Sequence, residues 1–167
     1  GTVIANGVFS DTPSVSGNCQ PPSFNDPLIG TWKLAQIPGA MGVGPNQGDV
    51  SWWSSSLGDV TTRACLFDDS IHFDSTGVYT HFMDGNTWVE GWQDGAGDGC
   101  RAPVAPHDGL GSYSYYYDSS TNTLTLNGLG AHLGLPKVTN TGEINNPQLA
   151  ASAVSYVLTF SNNGNTM

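Results

Sequence analysis

From Leu28 onward the chain alternates. In Leu28-Ile29-Gly30-Thr31-Trp32-Lys33-Leu34, Gly30, Trp32 and Leu34 share one face, and Ile29, Thr31 and Lys33 take the other. That is the period of a half-buried strand. Ile71 and Phe73 oppose His72 and Asp74, Ser75-Thr76-Gly77 turns the chain, and residues 78–83 alternate back. After Asp84-Gly85-Asn86, residues 87–92 put Trp88, Glu90 and Trp92 on one face, which completes a predicted three-strand meander. Residues 112–118 set Tyr113, Tyr115 and Tyr117 against Tyr116. Residues 123–126 and 155–160 supply two more alternating runs. About seven or eight short strands predict an all-β antiparallel barrel, with a β-sandwich as the alternative.

Two stretches have no period: residues 35–62 and 93–111. Structureless loops of this length are more often functional than not. The first carries Ser51-Trp52-Trp53-Ser54 near its end. At the other extreme, residues 2–9 are apolar enough for a strand, and residues 11–26 read as a Pro/Ser/Asn/Gly linker. This divides the chain into an N-terminal arm, 1–27, and an all-β domain, 28–167. The turn signal Asn162-Asn163-Gly164-Asn165 has no strand behind it, so a continuing chain or a partner is expected to supply one.

Charge narrows the partners. Lys plus Arg is 4 and Asp plus Glu is 14, a formal net charge of −10. Nucleic acid and anionic lipid surfaces both require a basic face, so neither is an expected partner. No apolar run approaches the roughly 20 residues of a membrane helix, so membrane insertion is not expected. Five Trp, six Tyr and six Phe place the chain among folded proteins. A low-Lys, acidic, Asn/Gly/Ser-rich chain reads as extracellular or cell-surface, where disulfides persist. Cys19, Cys65 and Cys100 are too far apart for a zinc knuckle. The expected pair is Cys65–Cys100, with Cys19 free or paired elsewhere; three buried thiols are the alternative.

The stretch Leu28–Leu34, with Gly30-Thr31-Trp32, resembles the opening strand of lipocalin-like barrels. The later rhythm is similar to lipocalin-like domains of secreted Bacteroidota proteins: Cys65 with Asp68 and Asp69, Phe73 to Tyr79 as F-x-x-x-G-x-Y, Trp88, and Leu124-Thr125-Leu126. The resemblance spans roughly residues 28–167. It departs at the long 35–62 loop and at the absent closing strand. It implies that Trp32 plugs the barrel floor, and it implies a binding or accessory role in a surface or secreted protein.

Candidate chemistry is mostly aromatic. Trp52 and Trp53 lie in a Gly/Ser loop, and exposed indoles stack on the apolar faces of sugars. Trp88 and Trp92 with Glu90 between them form a second candidate platform with a polar anchor, and Tyr116 extends the surface. The core reading of the same residues is weighed beside this one, strongest for Trp32, then for Trp88, and then for the Tyr ladder. Carboxylates at Asp68, Asp69, Glu90, Asp94, Asp98 and Asp108 mark no acid–base pair, and only two Glu are present. No Gly-x-Ser-x-Gly elbow and no phosphate loop occur. Asp94 and Asp98, spaced by Gly, are loosely like a calcium loop; otherwise no cofactor is expected. His72 and His81 are placed to meet across a hairpin, as a surface pair. The expected function is therefore an extracellular, non-catalytic carbohydrate-binding module for a polysaccharide or oligosaccharide. The alternative is a subunit of a surface assembly that exchanges strands, and a third reading is a barrel carrying an apolar ligand.

Overall fold

The computed structural model describes residues 4–7, 9–11 and 26–167. Two short strands, β1 (Ile4–Gly7) and β2 (Phe9–Asp11), open the chain. They are followed by β3 (Gly30–Leu34), β4 (Met41–Gly44) and β5 (Trp53–Ser54). Helical turns α1 (Leu57–Thr62) and α2 (Ala64–Phe67) lead into the hairpin of β6 (Ser70–Phe73) and β7 (Val78–Phe82). Then come β8 (Thr87–Val89), the single helical turn α3 (Gly91–Asp94) and β9 (Gly99–Arg101). The chain closes with β10 (Tyr113–Asp118), β11 (Thr123–Asn127), β12 (Val138–Thr139), β13 (Gly142–Glu143) and β14 (Ala153–Val157).

The fold is predominantly β. Seven strands form one antiparallel sheet in the order β14-β11-β10-β7-β6-β3-β2, curled into a half-barrel. A separate three-stranded sheet, β1-β4-β5, stands beside it. The alternation of each strand decides which face is filled. Trp32 and Leu34 of β3, Ile71 and Phe73 of β6, Tyr79 of β7, and Leu124 and Leu126 of β11 are all buried in one core. The Trp32 indole donates to the Leu28 carbonyl at 2.8 Å, so its polar edge is satisfied inside that core. Tyr113, Tyr115 and Tyr117 face inward, and Tyr115 donates to the Asp74 carbonyl at 2.8 Å.

Several expectations change. Strands β6 and β7 pair as expected, with Phe73 opposite Tyr79, but β8 leaves the sheet and pairs with β9. Residues 35–62 are not structureless: they hold β4, β5 and α1. Ser56 caps α1 by accepting from the Asp59 N–H at 3.1 Å, while the Asp59 carboxylate accepts from the Ser56 N–H at 2.7 Å. This Ser-x-x-Asp box is a local signal that lay inside what reads as a Ser-rich loop. The arm contributes β1 to β4 and β2 to β3, so its two strands pair within the chain. Residues 12–25 of its linker, Cys19 among them, lie outside the described residues.

Candidate functional site

The curled sheet leaves a concave mouth between β14 and the β1-β4-β5 sheet, while its β2 edge is bonded through Phe9 to Met167 in both directions. The mouth encloses about 620 Å³, within the range of small-ligand sites. Its floor is aliphatic: Met41, Leu133, Leu135, Val154 and Leu158. Its aromatic walls are Phe9, Trp53 and Tyr156, and Gln47, Asn140, Ser155, Thr159 and Ser161 add polar groups. The described residues that line it carry no carboxylate, imidazole or amine.

Trp53 lines this mouth for a backbone reason, and Trp52, one residue before it, does not line the mouth. The Trp52 N–H donates to the Val43 carbonyl at 3.1 Å, and β5 pairs Trp53 with Val43. Trp52 is 55% exposed, whereas Trp53 is half-buried in the wall. The back of the Trp53 ring is held by Arg63, whose guanidinium carbon lies 5.0 Å from its centroid and 4.6 Å from that of Trp88. A cation between two indoles fixes both rings and shields Trp88. Beside this stack, Cys65 and Cys100 form the expected disulfide, and Cys100 is the cross-strand partner of Trp88.

Trp88, Glu90 and Trp92 do not form an exposed strand face. The strand ends at Val89, and Glu90 opens α3 through a capping box with Gln93. The Glu90 N–H donates to Gln93 Oε1 at 2.9 Å. The carboxylate accepts from the Trp92 indole at 3.0 Å and pairs with Lys137 at 3.2 Å, so both oxygens have partners. Glu90 and Trp88 are buried and Trp92 is half-buried against His107. A Glu-x-x-Gln box switches the period from two to the helical one, which strict alternation overlooks. Tyr116 is exposed on the outer face of β10, where it is paired with Thr125, and the structure does not bring it to the mouth.

The acidic loop is also committed internally. Both Asp94 oxygens are gripped by Arg101 at 2.7 Å, and Asp98 accepts from the Gly91 N–H at 2.8 Å. The Arg101 hydrogen bonds hold the Asp94 carboxyl below the usual carboxylate range. Among the described residues, no three His, Cys, Asp or Glu side chains converge as metal ligands.

Sequence reasoning misses a buried polar cluster. His81 does not meet His72 at the surface. It is buried with its ring centroid 5.0 Å from that of His132, and His132 lies 5.7 Å from His107. His72 faces the other side of β6 and is bonded to Thr31 Oγ1 at 3.0 Å. Two glycines allow this packing. Gly109 and Gly130 both have positive φ, and a Cβ on them would collide with the carbonyl oxygens of His81 and Pro106 respectively. Burial drives the His81 imidazole well below its ordinary range and lowers His132 to about 4. His107 is lowered by the same cause, and its Nδ1 has no hydrogen-bond partner among the described residues. Burial likewise raises Asp69 to about 7, although Thr87 donates to it at 2.6 Å. No single residue of this cluster is chemically unusual in sequence, and only the glycines that bring distant loops together hint at it.

Among the described residues, no helix is long and apolar enough to cross a membrane. Comparison with protein family models, with curated proteins and with solved structures finds no match.

Proposed function

We propose that the protein is an extracellular, non-catalytic carbohydrate-binding module, built on an open lipocalin-like frame. The observation that carries this reading is Trp52, an indole 55% exposed and next in the chain to Trp53, which lines the concave mouth. Two rings held by a backbone ladder offer contact area at low entropic cost. The polar rim at Gln47, Thr159 and Ser161 supplies amide and hydroxyl partners for sugar hydroxyls. The disulfide supports an oxidising compartment. A net charge of −10 favours neutral glycans over uronates or sulfated chains.

Catalysis is left out of the reading because a glycosidase needs two carboxyl groups across its cleft. The carboxyl groups at Glu90 and Asp94 are instead held by Lys137 and Arg101. The test is affinity electrophoresis against neutral and acidic polysaccharides, with and without calcium. One neutral glycan should retard the wild-type chain, and Trp52→Ala and Trp53→Ala should migrate freely. Equal retardation of all three proteins would remove the site.

A further inference from the structure

The edge of β14 shows what kind of partner fits the aliphatic floor of the mouth. In the β11–β14 ladder, Leu124 faces Tyr156 and Leu126 faces Val154. The flanking bonds, Gly128 N–H to the Ser152 carbonyl and Leu158 N–H to the Asn122 carbonyl, are in phase with those pairs. Antiparallel pairing alternates, so Ala153, Ser155 and Val157 direct their N–H and C=O groups away from β11. Asn140 confirms this at the middle position. Its side-chain amide donates to the Ser155 carbonyl and accepts from the Ser155 N–H, both at 2.8 Å. The side chain thus reproduces the two bonds that a neighbouring strand would make. On either side, the outward backbone groups of Ala153 and Val157 have no hydrogen-bond partner among the described residues. Val157 is 56% exposed.

We infer that this edge, with the cleft beside it, accepts an extended segment of a partner polypeptide, and that Asn140 is the plug that the segment displaces. A strand added here has its backbone satisfied by Ala153, Ser155 and Val157. Its alternate side chains then enter the cleft beside Val154, Tyr156 and Leu158. The donor therefore carries apolar residues at every second position. A second copy of this chain does not fit as well. Each copy carries a net charge of −10, and the arm strands β1 and β2 are already paired. A neutral or basic donor segment matches the charge. The Asn140 plug protects an exposed edge from indiscriminate pairing.

The test uses the full chain and a short synthetic peptide alternating valine with threonine, with lysine at both ends. Binding is measured by calorimetry, and amide hydrogen exchange is followed by NMR. The Val157 N–H should gain protection when peptide is added. Asn140→Ala should bind about tenfold more tightly than wild type, as expected when a competing internal partner is removed. Val157→Pro removes an outward N–H without removing a ladder bond, and should weaken binding about tenfold. Circular dichroism checks that both variants fold. The wild-type exchange experiment stands without either variant. Peptide that fails to bind, or that binds and leaves the Val157 amide unprotected, overturns the inference. So does uptake of the neutral dye N-phenyl-1-naphthylamine that the peptide does not displace, because the mouth would then be a small-molecule cavity.

Discussion

Replacing Asp69 with Asn should stabilise the folded chain more at pH 8 than at pH 5. The Asp69 residue is 6% exposed, Oδ2 accepts from Thr87, and Oδ1 has no partner among the described residues. Burial raises its pKa from 3.8 to about 7, the Thr87 bond pulls it back, and Asp68 and Asp84 push it further up. The folded state therefore holds this proton more tightly than the unfolded state does. That contribution is complete below pH 3.8 and is lost as the pH rises through 7. With these two pKa values, wild type loses about 2–3 kcal/mol through Asp69 between pH 5 and pH 8. Asn cannot ionise, so the stability gap between variant and wild type should widen by that amount. The widening does not depend on how well Asn replaces the neutral acid, because that cost is the same at both pH values. Urea unfolding followed by Trp fluorescence, on both proteins at both pH values, measures it. A gap that is constant or that narrows at pH 8 would show that the carboxyl titrates normally and would refute the reasoning.

Other consequences follow from the same packing. His132 works in the opposite direction: its folded pKa of about 4 lies below the unfolded 6.5, so stability is complete above 6.5 and is lost as the pH falls toward 4. Between pH 7 and pH 5 the loss is about 2 kcal/mol, His81 adds to it, and His132→Gln should flatten that part of a pH–melting curve. Reducing the Cys65–Cys100 bond, whose residues are 35 apart in sequence, should cost about 3–4 kcal/mol, read as a drop in urea midpoint with reductant present. Arg63→Ala should cost about 1–2 kcal/mol and shift Trp emission to the red, since it unpacks Trp53 and opens Trp88 to water.

The strands were legible wherever one face meets the core and the other meets water. Trp32 and Leu34, Ile71 and Phe73, and Leu124 and Leu126 are buried in phase with their alternation. Pairing was less legible, because alternation fixes a face and not a neighbour. Strand β8 has the right period for the meander but is entirely buried and bonds to β9 across the disulfide. The Gly/Ser surroundings of Trp52 and Trp53 leave two outcomes open, since an indole with no local apolar partner is either exposed or packed by something distant. Both outcomes occur: Trp52 stays exposed and Arg63 packs Trp53. The shared strand face expected of Trp88, Glu90 and Trp92 does not form, because a capping box hides in an alternating run. The histidine cluster is built by a strand and two loops far apart in sequence, at residues 81, 107 and 132, and no local pattern encodes such a meeting.

The carbohydrate reading meets its most direct test in a calorimetric titration of the wild-type chain with short neutral oligosaccharides. The account predicts saturable heat with one of them, and a weakening of at least about tenfold in Trp52→Ala, equivalent to about 1.4 kcal/mol. The same oligosaccharide should leave the Asp69→Asn titration unchanged, because Asp69 lies in the buried interior. Absence of heat across neutral sugars, or full affinity in Trp52→Ala, would contradict the account.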